Sequence, residues 1–215
     1  MIEDNIRILR QAARVSSNDN ANTIDKDWCI VAGNANLVDD TAYKAIASNH
    51  KVSILFREHV ILNEDKIDKK FDFIMLYGSG FKLDEFKNYT EQNGGAYIQV
   101  SRELLSKEPN LMVLIAPDDV IRKVVSSIEK SRISFAILQE SQTTGFIDID
   151  LSNEVKLPNF IKSLMKPFYK ANEVVLSAIL ISVEKEVNVN KVQSIATSNK
   201  IFVIDFRDIV TEDKS

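Results

Sequence analysis

Apolar residues along the chain cluster in short uninterrupted runs, and the polar stretches between them carry helical spacing. The runs Trp28 to Ala32, Val52 to Leu55, Phe71 to Tyr77, Ala96 to Val100 and Leu111 to Ile115 have the length and continuity of buried strands. Further strands are predicted over 133–138, 146–151, 174–182 and 201–204. Helices are predicted over 2–15, 39–48, 83–92, 118–130, 158–165 and 190–197, with a last helical turn over 206–210. In the first of these, Ile2, Ile6, Leu9 and Ala13 share one face. Pro117-Asp118-Asp119 opens a helix, because proline suits its first turn and acids face the positive end of its dipole. Gly94-Gly95 closes one, because glycine accepts the left-handed conformation past a helix end. The polar stretches 16–23 and 61–70 read as connections.

Strands alternating with helices predict an α/β protein of repeated βαβ-type modules, its mainly parallel sheets covered by helices. The apolar, non-alternating strands point the same way. The alternative is a single Rossmann-like three-layer α/β domain.

Two segments resemble each other. Ala45 to Leu55, followed by Phe56-Arg57-Glu58, matches Ser194 to Ile204, followed by Asp205 and Phe206-Arg207-Asp208. Each reads as helix, short polar turn, strand, aromatic residue. A looser third copy spans Val124 to Leu138, with Ser131-Arg132 before its strand.

The segment Phe71 to Leu138 resembles a BRCT domain. Phe73-Ile74-Met75-Leu76 stands for the first strand, Ser79-Gly80-Phe81 for the Ser/Thr-Gly after it, and Gly94-Gly95 for the structural glycine pair ending the first helix. Lys123 lies ten residues before Ile133, where the family places a phosphate-binding lysine, and Lys191 lies ten before Ile201. The resemblance implies a partial module with an N-terminal helix over 1–62, a module over 70–143 and a divergent module over 144–215. It implies a phosphate pocket in which Ser79 gives its hydroxyl, Gly80 its backbone N–H and Lys123 the charge, with Lys191 a secondary candidate. Such a pocket needs the Ser79 and Lys123 side chains within about 7 Å of each other, close enough to clasp one phosphate.

Composition narrows the chemistry. The chain has 215 residues, a net charge of −4 and one cysteine, Cys29. An acidic balance argues against a dedicated duplex-DNA binder, which carries a basic stripe. A single cysteine forms no internal disulfide and suits a reducing compartment. No run reaches the ~18 apolar residues of a membrane span, and Glu3 and Asp4 precede any apolar stretch, unlike a signal peptide. His50 and His59 are the only histidines, and neither makes a close ligand pair with Cys29, so no metal is expected. Asp148 and Asp150 share a strand face, a spacing that can hold Mg²⁺ but also follows from simple alternation with apolar neighbours. Gly78-Ser79-Gly80 lacks the third glycine of a dinucleotide fingerprint, since Leu83 stands there. Gly33-Asn34 follows a strand and precedes a helix, so it could meet a phosphate at the helix start.

No catalytic residue and no cofactor are expected. The chain reads as a non-enzymatic protein-interaction module binding a phosphorylated or acidic protein segment. The resemblance adds an intracellular, nuclear scaffold role in DNA repair, replication or checkpoint signalling. Two alternatives stand beside it. One is a Rossmann-like domain binding a nucleotide or small metabolite at Gly33-Asn34 or Gly78-Ser79-Gly80. The other is a structural subunit of a larger assembly.

Overall fold

The computed structural model describes residues 27–48, 51–64, 67–144, 148–150 and 175–207, with side chains described outside 61–70 and 148–150. The run around Cys29 forms β1 (Asp27–Gly33), and Asn34 turns the chain into α1 (Ala35–Ala47), its side-chain oxygen accepting from the Leu37 N–H at 2.9 Å. A long hairpin follows, β2 (Val52–Glu64) and β3 (Ile67–Gly78). Then come α2 (Gly80–Gln92) and β4 (Ala96–Val100). The short α3 (Arg102–Lys107), capped by Ser101 on the Leu104 N–H at 3.1 Å, leads to a second unit. That unit runs β5 (Leu111–Pro117), α4 (Asp118–Lys130), β6 (Phe135–Gln142), the short β7 (Asp148–Asp150), β8 (Leu176–Val183), α5 (Glu186–Ser198) and β9 (Phe202–Asp205).

The two units repeat one topology. The first sheet has the order β2-β3-β1-β4, with β7 joining β3 beyond the end of β1; the second has the order β6-β8-β5-β9. Both are β-α-β-β-α-β units of the ferredoxin-like, split βαβ kind. Register fixes the equivalences. β1 matches β5, α1 matches α4, β2 matches β6, β3 matches β8, α2 matches α5 and β4 matches β9. The first edge strand of each sheet shifts register at one place, between Ile54 and Phe56 in β2 and between Ile137 and Gln139 in β6.

Every strand pair among the described residues is antiparallel. This corrects the expectation of mainly parallel sheets, both as BRCT-like modules and as a Rossmann-like domain. The apolar runs report burial on both faces, and two-sided burial has a second source here. Helices cover the outer face of each sheet, while the inner faces pack on one another. Ile30, Phe73, Met75 and Ile98 of the first sheet share one core with Val113, Ile115, Leu180 and Ile204 of the second. Phe73 of β3 meets Phe202 of β9 at 4.3 Å between ring centres. The result is four layers, helix–sheet–sheet–helix, and a strand inside it is buried twice whatever its direction.

Other differences are local. The stretch 61–70, read as a connection because it is polar and charged, contains the ends of β2 and β3. Residues 62 and 70 therefore lie in one hairpin, and Thr143 lies between β6 and β8 of one sheet, bonded to Leu176. The expected helices over 2–15 and 158–165, the loop over 16–23 and most of the turn over 206–210 lie outside the described residues.

The edge of β4 is closed by the second unit. Gln139 and Ser141 of β6 accept from the backbone N–H groups of Gln99 and Tyr97 at 3.1 and 2.9 Å, and Gln139 also donates to the Tyr97 carbonyl at 3.4 Å. Side chains thus satisfy an edge that would otherwise invite another strand.

Candidate functional site

Ser79 stands at the N-cap of α2, but its side chain makes no capping hydrogen bond. Gly80 opens the helix against Asp27, whose carboxylate oxygen lies 2.7 Å from where a Cβ on Gly80 would sit. Asp27 pairs with Gly78 across the β1–β3 ladder and accepts from the Arg102 N–H at 3.1 Å. A carboxylate therefore lies beside the first residue of α2, near the positive end of the helix. A phosphate there would face a fixed like charge.

Lys123 sits on α4, exposed and 3.6 Å from Asp119 one turn earlier. α2 covers the outer face of the first sheet and α4 the outer face of the second. Two sheets stacked about 10 Å apart lie between them. The structure does not bring Ser79 and Gly80 to Lys123. Lys191 is exposed on α5, in the same outer layer as α4.

Gly94 and Gly95 terminate α2. Gly94 has φ 71°, its N–H donates to Glu91 at 3.2 Å, and the Gly95 N–H reaches back to Thr90 at 2.9 Å. This is a Schellman turn. α4 and α5 end the same way with Arg132 (φ 54°) and Lys200 (φ 58°) in the left-handed position. The internal similarity read from the sequence is largely this shared helix–turn–strand unit. The strict partner of the first segment is the looser copy, since α1–β2 matches α4–β6, whereas 194–208 belongs to α5–β9.

The Gly33-Asn34 turn is closed by the Asn34 cap. Asp148 and Asp150 pair with Lys70 and Asp68 at the end of β3. Cys29 is fully buried, and burial pushes its thiol up to about 12. Among the described residues no group of acids, histidines and cysteine is arranged to hold a metal, and no helix is long and apolar enough to cross a membrane.

Sequence reasoning missed the junction between α1 and β2. Asp72 is buried on β3 and accepts from Arg57 at 2.6 Å and pairs with His59; Arg57 also bridges to Asp39 on α1. The Asp72 hydrogen bond holds the Arg57 guanidinium above its ordinary value. The signal was an acid inside the apolar run Phe71-Asp72-Phe73, which burial permits only with partners.

The matching junction of the second unit is open. Arg122 stands where Asp39 stands and Glu140 where Arg57 stands, but Arg122 turns back to Asp118 at 2.7 Å. A cleft of about 200 Å³ remains between α4 and β6, floored by Ile121, Val125, Ile137 and Ile179.

One more surface separates the units. Asp39, Tyr43 and Ile46 fall on one face of α1. Asp39 reaches Arg57, so this face leans over β2, where Ile54 is part-exposed. Tyr43 is 74% and Ile46 72% exposed. Their counterparts on α4 are Ser126 and Glu129.

No protein-family model matches the chain, and no curated protein matches it. Among solved structures it is similar to the protein BT0572 from Bacteroides thetaiotaomicron, at 12% identity over 86% of this chain and 94% of that one, with a TM-score of 0.27. A protein from Galdieria sulphuraria aligns at 10% identity over 84% and 96% of the two chains, with a TM-score of 0.29. A putative glycine cleavage system transcriptional repressor aligns at 10% identity over 85% and 96%, with a TM-score of 0.27.

Proposed function

We propose that the chain is a non-enzymatic protein-interaction module whose first unit meets a protein partner on the α1 face beside β2. The observation that carries this is the contrast at matching positions. The second unit builds the same helix with Ser126 and Glu129, so the fold does not require Tyr43 and Ile46 to be apolar. Exposed apolar side chains that packing does not require, gathered on one face, are what interaction sites leave behind. The proposal keeps the protein partner expected from the sequence. Phosphate is left out of it, because Asp27 sets a negative charge beside Gly80 and Lys123 lies in the opposite helix layer.

The test is site-specific photo-crosslinking from position 43 in extract, with position 126 as control. Discrete crosslinked protein species at 43, lost on Ile46→Glu and absent at 126, support the reading. Equal labelling at both positions overturns it. A parallel screen of phosphorylated and unphosphorylated peptide libraries on the full chain should show no phosphate preference.

A further inference from the structure

We propose that the cleft between α4 and β6 is a binding site for a small organic cation, an amidinium or guanidinium head carried on an apolar ring. The site belongs to the second unit, in the helix layer opposite the α1 face, and stands apart from the reading of that face. What selects a cation is the first unit, where the same junction is filled from within. There the Arg57 guanidinium of β2 pairs with Asp39 of α1 and with Asp72 of β3. The second unit supplies acids at this junction and no cation to match them. Glu140 stands on β6 where Arg57 stands on β2, Glu129 faces the cleft from α4, and Asp118 lies at the start of that helix. Arg122 also lines the cleft, but Asp118 holds it at 2.7 Å. Among the described residues neither Glu129 nor Glu140 is in an ion pair, so each wall keeps a carboxylate without a counter-charge. A planar head with N–H donors along two edges suits carboxylates on two walls.

The floor selects the body. Ile121, Val125, Ile137 and Ile179 are all aliphatic, and the space above them is about 200 Å³. A cavity of roughly 150 Å³ lined by aliphatic and aromatic side chains takes up a benzene ring, so a single ring with its head group is the size that fits. The first unit has Val38 and Ala42 where the second has Ile121 and Val125, so the larger apolar floor lies under the open cleft. An inorganic cation would leave that floor uncovered, and a neutral ring would leave the carboxylates unmatched.

Titration of the full chain with benzamidine, and with its neutral and anionic analogues benzamide and benzoate, tests this. Binding is followed by the methyl NMR signals of Val125 and Ile137. An exposed ion pair is worth up to about fivefold in affinity. Benzamidine should therefore shift both signals and bind roughly fivefold or more tighter than benzamide, through two such pairs, with benzoate weakest. Glu140→Gln should weaken benzamidine about two- to fivefold and leave benzamide unchanged. Glu140→Arg installs the first unit's residue and should abolish benzamidine binding, because the cleft then carries its own cation. Glu140 is exposed on an edge strand, and an unchanged thermal melt shows that both variants are folded. Equal binding of the three compounds, tightest binding of benzoate, or shifts that spare Val125 and Ile137 overturn the proposal. So do benzamidine binding indifferent to both Glu140 variants and the absence of any saturable shift up to about 10 mM.

Discussion

The first and second units place the acid of the same junction on different elements, buried on a strand in one and half-buried at a helix start in the other. In the first, the acid is Asp72 on the inner strand β3, and Arg57 and His59 of the edge strand reach it. In the second, the counterpart of Asp72 is Ser177, and the acid has moved to the start of α4. There Asp118 accepts from Ser177 and Gln142 at 2.8 Å and from Arg122 at 2.7 Å. The charges at the matching positions are also reversed, Asp39 and Arg57 against Arg122 and Glu140. The consequence is geometric. Where the acid sits on the strand, the edge arginine is free to span to the helix and the junction closes. Where the acid sits on the helix, the helix arginine is recruited by its own turn and a cleft is left. The carboxylate is satisfied by hydrogen bonds in both units, but its address decides whether helix and edge strand are tied together.

The largest expected effect comes from moving that address. Asp72→Ser gives the first unit the second unit's strand residue and strips Arg57 and His59 of their buried partner. A loss of about 2–3 kcal/mol is expected by denaturant unfolding, the range for hydrogen bonds to a charged group and below that of a broken buried pair, because Arg57 is partly exposed and keeps Asp39. Adding Ala35→Asp places the acid where Asp118 stands and should recover part of the loss. No recovery would mean that the two networks are not interchangeable.

Next in size is the packing under the end of α2. A Cβ on Gly95 would lie 2.3 Å from Leu37 Cδ2, 2.7 Å from Thr90 Cγ2 and 3.2 Å from the Ala32 carbonyl. The second unit has Ile201 at that position, with Val120 and Ala196 in place of Leu37 and Thr90. Volume is exchanged across the three sites. Gly95→Ala should destabilise by about 2 kcal/mol through overpacking. The same change in a Thr90→Ala background should cost clearly less, measured as a double-mutant cycle.

A smaller effect, of opposite sign, tests the helix ends. Arg132 and Lys200 hold the left-handed conformation that Gly94 holds in α2. That conformation costs a residue with a Cβ about 1–2 kcal/mol, offset in part by the greater freedom of glycine in the unfolded chain. Arg132→Gly and Lys200→Gly should each stabilise by about 0.5–1 kcal/mol, read as a rise in melting temperature. A fall in either would show that the side chain contributes more than the strain removes.

These contrasts also explain how far the sequence could be read. Most of the described strands and helices followed from apolar runs and from capping residues such as Pro117, Gly94 and Gly95, but the short α3 was not read from the sequence. Strand direction did not follow, because Leu111 to Ile115 is apolar throughout whether its second cover is a helix or another sheet. The hairpin ends over 61–70 were hidden because residues such as Asn63, Glu64, Asp68 and Lys69 resemble a loop, and ladder pairing there leaves no apolar pattern. The proposed pocket failed for a similar reason. Gly78-Ser79-Gly80 and Lys123 lie on opposite sides of two sheets, and no local pattern records which layer a helix will join. Asp72 was legible in principle, as an acid flanked by phenylalanines, but its partners Arg57 and His59 come from another strand. The interaction face became visible only by comparison, once topology made Tyr43 the counterpart of Ser126.

The smallest expected effect is a pH dependence on the inner face of β2. Glu58 pairs with Phe73 in the ladder and so points toward the shared core, where its counterpart Ser141 caps the edge of β4 instead. Partial burial raises the Glu58 carboxyl above its ordinary 4.5. The folded state therefore disfavours its charged form. The contribution of Glu58 to stability is fully present below the ordinary value and declines as pH rises through the raised one. Glu58→Gln removes the charge without changing the shape. It should stabilise the protein at neutral pH, and the advantage should vanish when unfolding is measured below 4.5. An advantage independent of pH would assign the gain to packing rather than charge. No advantage at neutral pH would mean that Glu58 turns out to water, and that the inner face of β2 tolerates an acid because its rim is wet.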